Sequence, residues 1–232
     1  MTIVCGVDGC RAGWIVVFHD LGSSLLWWKT FRSLRQIASN PNAPTVIAID
    51  VPIGLPNTGA RKCDLLARQL IGPRRSSVFP APIRPVLAAS TYGEAGEMRR
   101  RIEGKGLSIQ AWAIVPKIRE VDTELRSTPL LRQVVREVHP EVCFLEMNGK
   151  THLRYSKKNR AGREERLLIL RTAFGTAPTI ALTPRPDGCE PDDVLDAFSA
   201  VWTAARISSG TAYTLPGSPS RDSCDLPMEI VV

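Results

Sequence analysis

"IVCGVDGCRAGWIVVFHD", residues 3–20, joins two apolar runs through a carboxylate, Asp8, and a short link containing glycine. Residues 2–8 and 12–19 read as strands, because each is rich in apolar and β-branched residues and bounded by turn-formers. "SLLWWKTF" (24–31) reads as a third strand, set off by "DLGS" at 20–23. The links are too short for crossover helices, so the three runs form an antiparallel meander. A short helix is expected over 32–39, then a break at "NPNAP", then "TVIAID" (45–50) as a fourth strand. That strand is apolar on both faces, as an interior strand is, and the helical link before it permits parallel pairing.

Beyond Val51 the character changes. "VPIGLP" and "GPRRSSVFPAPIRP" read as ordered loops. Helices are expected over 60–71, 91–103 and 110–126, with Pro116 starting, kinking or dividing the last. "VVREVH" (134–139) reads as a fifth strand closed by Pro140. Helices follow at 163–174 and 191–207. Residues 208–226 read as a wandering surface segment and "MEIVV" as a short closing strand. The order predicts a mixed α/β sheet flanked by helices, in one domain with an insertion at about 51–130.

The 232 residues are 44% hydrophobic, enough for a core and too many for global disorder. No apolar run has the length of a membrane span, and the N-terminus lacks a signal-peptide pattern. A soluble cytoplasmic protein with no membrane partner is the expectation. Six cysteines without a CxxC pair argue for free thiols over disulfides or zinc. A net charge of +7 permits a nucleic-acid partner without establishing one. A homodimer is left open.

Two strands end on a carboxylate in the same style, at Asp8 in "IVCGVDG" and Asp50 in "TVIAIDVP". If those strands lie side by side and parallel, both acids leave the sheet at its ligand-binding end. "EPDDVLDAF" supplies more acids. Pro191, Asp192 and Asp193 suit a helix start. Asp196 fits that explanation less well, because the helix from Val194 onward is apolar nearly all round and therefore buried. A buried carboxylate needs a compensating cation. Asp193 and Asp196 are three apart and share a face. Mg²⁺ or Mn²⁺, hard and oxygen-seeking, would remove the repulsion among such groups and serve phosphodiester cleavage.

The combination "GVDGCRAGW", "AIDVPIGLP", "RRSSVFPAP", "EVHPEVCF", "GREERL", "PDDVLDAFSA" and "PMEIVV" resembles the domain-of-unknown-function family 429, from about residue 3 to 232. That family comprises predicted nucleases of the ribonuclease H fold. The resemblance implies a five-stranded sheet in the order three-two-one-four-five. It implies Asp8 on the central strand, Asp50 beside it, and Asp193 with Asp196 on the C-terminal helix, as a catalytic metal-binding set. The acid that ribonuclease H carries on its first helix has no counterpart in "RSLRQIAS", which points to the resolvase-like branch.

"REVHPEVCF" places Glu137 and His139 on one strand face, with Glu141 in the next turn, and the resemblance adds all three to the candidate catalytic set. "KTHLRYSKKNRAGREER" (150–166) holds seven Lys or Arg. Lys157, Lys158, Arg160 and Arg163, with Arg11, Arg74 and Arg75, are candidate phosphate contacts. A metal-dependent nuclease is therefore the leading expectation. Its rivals are a nucleotide-dependent phosphotransferase of the actin and sugar-kinase type, with "DGCRAGW" as a phosphate loop, and a non-catalytic nucleic-acid-binding module.

Overall fold

The computed structural model describes residues 2–41 and 43–232. Of the expected break "NPNAP", Asn42 lies outside them. β1 (Ile3–Cys10) and β2 (Gly13–Asp20) pair antiparallel from Ile3 opposite Asp20 to Cys10 opposite Gly13. Only Arg11 and Ala12 remain for the turn. β3 (Leu25–Phe31) continues the meander on β2. α1 (Leu34–Ala38) starts at Ser33, whose hydroxyl accepts the Gln36 N–H. It leads to β4 (Val46–Ile49), which lies parallel to β1 with Ile49 level with Val7.

The insertion then supplies α2 (Lys62–Leu70), two 3-10 turns (Gly72–Ser77 and Arg84–Ala88), α3 (Tyr92–Glu103), α4 (Ile109–Ser127) and α5 (Leu131–Val134). β5 (Val135–Glu137) pairs parallel with β4, Glu137 level with Ile49. α6 (Pro140–Met147), α7 (Arg160–Phe174), α8 (Ala177–Ala181) and α9 (Pro191–Ser209) follow. β6 (Thr214–Leu215) and β7 (Ile230–Val231) make a small second sheet. The main sheet runs β3-β2-β1-β4-β5, the order that the resemblance implied.

Alternation along the strands builds two cores. Val4, Ile15, Val17 and Ala48 pack against Val194, Ala197 and Val201 of α9. Cys5, Val7, Val16 and Ile49 pack with Ile118, Val121 and Leu125 of α4. α9 lies so close to β1 that a Cβ at Gly6 would stand 2.1 Å from the Val201 nitrogen and 2.2 Å from the Ala197 oxygen. Only glycine fits there, and that approach sets the depth at which α9 delivers its acids.

Several expectations need correction. Pro140 does not merely close the fifth strand. It opens α6, where a missing N–H costs nothing, so Glu141 sits in a helical turn. Pro116 lies inside α4, which runs on through it as one helix. Residues 208–226 lie mostly at the surface, as expected, but the segment is anchored at points. Asp222 accepts the Leu55 N–H at 2.8 Å, Leu226 is buried, and Ile230 of the closing strand is buried too. The polar, proline-rich composition hid these anchors. All six cysteines are free thiols, as expected. Among the described residues no helix is long and apolar enough to cross a membrane.

Candidate active site

Parallel register brings the acids to one edge. The Asp50 N–H donates to the Val7 carbonyl at 3.0 Å, and the Val138 N–H to the Ile49 carbonyl at 3.0 Å. Val7, Ile49 and Glu137 therefore lie level, and Asp8, Asp50 and His139 follow just beyond them, although β1 runs on to Cys10. α9 crosses this edge with buried Asp196 on its second turn.

The carboxylates feel one another. Burial holds Asp8 well above the usual carboxylate range, and Asp50 and Asp196 push it further while Lys157 opposes them. Burial pushes Asp50 up to about 7, with Lys157 pulling it down and Asp196 and Glu141 pushing it up. Burial also raises Asp196, against Lys157. These are the signs of three like charges sharing a poorly hydrated space.

Lys157 is their counter-ion. Its ammonium pairs with Asp196 Oδ2. Burial works against that charge, but Asp196, Asp8 and Asp50 hold the pKa above the ordinary lysine value. The backbone aims it. Asn159 caps α7 by accepting the Gly162 N–H at 2.7 Å. A Cβ at Gly162 would sit 1.9 Å from the Ser156 oxygen, so glycine alone lets this strap press against α7. Lys158 continues the strap by pairing with Asp192 at 2.7 Å.

The remaining candidates divide. Asp193 closes the N-terminal cap of α9, its Oδ2 accepting the Glu190 N–H at 2.8 Å, and its charge adds a smaller push on Asp8. Glu141 accepts Arg166 at 2.5 Å and pairs with Arg74 at 3.5 Å. Against the effect of burial, these two guanidinium groups hold it below the usual carboxylate range. Burial lowers His139 below the ordinary imidazole value against the pull of Glu141, its ring hydrogen-bonds to the Ser77 backbone, and its Nδ1 has no partner.

Glu137 is not in this group. The backbone stays extended to His139, the N-cap of α6, but only His139 lines the cavity beside Asp8 and Asp50, and Glu137 is turned to Arg61. Its carboxylate accepts two bonds from Arg61, both at 2.7 Å, and the Ile53 N–H at 2.6 Å.

A cavity of about 460 Å³ opens beside Asp8 and Asp50, and neither Asp193 nor Asp196 lines it. Asp8, Asp50, His139, Glu141 and Lys157 line it, with Arg74, Lys158, Lys117 and Phe79. Arg160 and Arg163 line a second cavity with Arg185, and Arg160 is paired with Glu164 at 2.7 Å. Arg11 and Arg75 are exposed and line neither. Sequence reasoning missed Lys117 and Phe79. Lys117 lies on an insertion helix where nothing marks it, and its ammonium stands 4.1 Å from the centre of the Trp14 ring. Lys157, expected at phosphate, faces the acids.

Among the described residues, no three His, Cys, Asp or Glu side chains form a ready cage for an ion. The Lys157 ammonium is the cation at Asp196. The donor set still suits a hard divalent ion, because Asp196 Oδ1 and Glu141 Oε2 are buried without a hydrogen-bond partner.

The raised acids predict how stability follows pH. A carboxyl group whose folded pKa lies above its unfolded one binds its proton more tightly when folded. Its contribution is complete below its ordinary value of 3.8 and is lost as pH rises through about 7 for Asp50. Metal-free protein should therefore melt higher at pH 5 than at pH 8. Added Mn²⁺ should close most of that gap, as scanning calorimetry with and without EDTA would show.

No curated protein and no solved structure matches the chain. The family model described as "Protein of unknown function (DUF429)" matches residues 6–221, and the chain belongs to that family.

Proposed function

We propose that the protein is a nuclease of the ribonuclease H-like type that depends on Mg²⁺ or Mn²⁺. One observation carries this reading. Asp50 and Asp196 push the pKa of Asp8 up, Asp196 does the same to Asp50, and all three acids, from two strands and a helix, act on the single ammonium of Lys157. Folding has gathered negative charge that it does not fully neutralise, which is costly unless a ligand repays it. The same three carboxylates would hold the ion, with Asp193 at the margin. When bound, such an ion supplies a nucleophilic water and neutralises phosphoryl oxygens.

The chain's own groups fill the other roles. His139 lines the cavity, where its imidazole can take a proton from the attacking water. Arg74 and Lys158 line the cavity and offer positive charge to a phosphate. Glu141 positions Arg74 while itself tied to Arg166. Lys157 keeps the acids together when no metal is present.

Lys157 gives a prediction of its own. Lys157→Met should lower the stability of metal-free protein by about 1–3 kcal/mol, below the roughly 3–5 of a fully buried pair, because 30% of its side chain stays exposed. Mn²⁺ should bind the variant more tightly, since the competing ammonium is gone. Weaker Mn²⁺ binding, measured by calorimetry, would argue that Lys157 shares the site with the metal.

The direct test is Mn²⁺-dependent cleavage of single-stranded, duplex, flap and junction DNA and of RNA. No cleavage of any of these, together with no Mn²⁺ affinity, rejects the enzyme and favours the binding module. The phosphotransferase reading has less support. The turn after β1 holds only two residues, and the Arg11 N–H already donates to the Gly188 carbonyl at 3.0 Å. A phosphate cradle needs such groups free. ATP affinity without nucleic-acid affinity would reverse this ranking.

A further inference from the structure

The cavity lies between two parts of the insertion. Of the carboxylates that line it, Asp8 is 8% exposed and Glu141 4%, so little of either faces open solvent. The insertion builds the walls. Arg74, Ser77 and Phe79 stand on one side, and Ile114 and Lys117 of α4 on the other. Its volume of about 460 Å³ falls at the low end of sites for single small molecules, about 300–1,000 Å³. A duplex presents a broad convex backbone whose grooves are roughly 6–12 Å wide. Such a surface is too broad to be enclosed by a cavity of that volume.

The wall chemistry is that of a nucleotide. Phe79 is 50% exposed while lining the cavity, although the neighbouring Val78 is buried at 2%. An exposed aromatic ring close to cationic side chains is a stacking platform for a base. Arg74 and Lys158 provide charge for a phosphate in the same space. Beyond Lys158 a second cavity, of about 260 Å³, is lined by Arg163, Arg185 and Pro191. Lys158 pairs with Asp192, the residue after Pro191, so the two cavities flank one helix start.

We infer that the cavity admits one nucleotide unit at a free end of a single strand, its base against Phe79 and its phosphate toward Arg74 and Lys158. The strand then leaves past Lys158 toward Arg163 and Arg185. This rests on the nuclease reading and gives it a substrate class: strand ends, not the interior of a duplex. Hydrolysis breaks one P–O bond. Water supplies hydroxide to phosphorus and a proton to the departing oxygen, so each turnover releases a mononucleotide and a strand one unit shorter.

Two measurements test it. In Mn²⁺, a linear single-stranded DNA should yield mononucleotides, while a covalently closed circle of the same sequence should be cut at least about 100-fold more slowly. A circle opened as fast as the linear strand overturns the inference. The second measurement needs no cleavage. Nucleoside monophosphate should bind the wild type in calorimetry and bind Phe79→Ala about 5- to 150-fold more weakly, the equivalent of one stacked base. Mn²⁺ affinity and melting temperature should not change in that variant. Equal nucleotide affinity in the two proteins removes the base from Phe79 and sinks the proposal. Nucleotide binding that depends on Phe79, with neither these DNAs nor any of the other DNA and RNA substrates cut, would end the nuclease reading and leave the nucleotide site standing.

Discussion

Asp8→Asn should melt at a higher temperature than the wild type in EDTA and, on the nuclease reading, should show no Mn²⁺-dependent cleavage. Both outcomes come from one cause. Burial and the charges of Asp50 and Asp196 all disfavour the ionised form of Asp8, and Lys157 offsets only part of that. Asparagine keeps the shape and removes the charge. Relieving such a conflict gives about 0.5–2 kcal/mol, the usual gain where a site is relaxed at the expense of function. For a chain of this length each kcal/mol moves the melting point by roughly 2–4 °C. The activity should fall by more than about 100-fold, since removing even an outer hydrogen-bond partner of a metal ligand costs about 10–100-fold. Wild-type protein should gain stability from Mn²⁺, and the variant much less. A variant that melts lower in EDTA and cleaves normally would falsify the charge conflict and the metal role together.

The strands and the acids were legible in the sequence for different reasons. β1, β2 and β4 announce themselves by unbroken apolar runs, because interior strands bury both faces. Asp8 and Asp50 stand out because each interrupts such a run. Asp196 stands out because α9 is apolar around it. What stayed hidden depends on contacts between distant segments. The fate of Glu137 turns on Arg61, which lies 76 positions earlier and pairs with it across two elements. The approach of Lys157 to Asp196 turns on Gly162 and the Asn159 cap, both of which read as ordinary loop residues. The wall formed by Phe79 and Ile114 brings together two parts of the insertion, and no local pattern marks that meeting. α6 was missed because Pro140 reads equally well as an ending and as a beginning.

Arg61→Leu should lower stability by about 3–5 kcal/mol, the cost of removing one partner from a buried ion pair. Arg61 is 3% exposed, and its guanidinium is shared by three elements. It donates twice to Glu137 at the end of β5, both times at 2.7 Å. It also donates to Asp64 in α2, at 2.5 and 3.2 Å, and to the Ile53 carbonyl at 3.0 Å. The two carboxylates carry the connection outward, since Glu137 accepts the Ile53 N–H at 2.6 Å and Asp64 accepts the Ala81 N–H at 3.1 Å. Burial opposes the charge on Arg61, but Glu137 and Asp64 hold its pKa well above the ordinary value. Leucine would fill much of the space and leave both carboxylates buried without a cation. Lysine offers a single point of charge and cannot reproduce the fork. Glu137→Gln supplies the contrast with the site acids. Burial raises Glu137 to about 7, as it does Asp50, but Arg61 pulls it down, and the glutamine variant leaves the buried guanidinium short of a partner, so it should destabilise where Asp8→Asn stabilises. At a temperature where it remains folded it should keep whatever cleavage the wild type shows. Urea melts read against activity at 15 °C and 37 °C separate the two kinds of carboxylate, and an Arg61→Leu midpoint within about 1 kcal/mol of wild type would show that this guanidinium does not hold the cavity wall to the sheet.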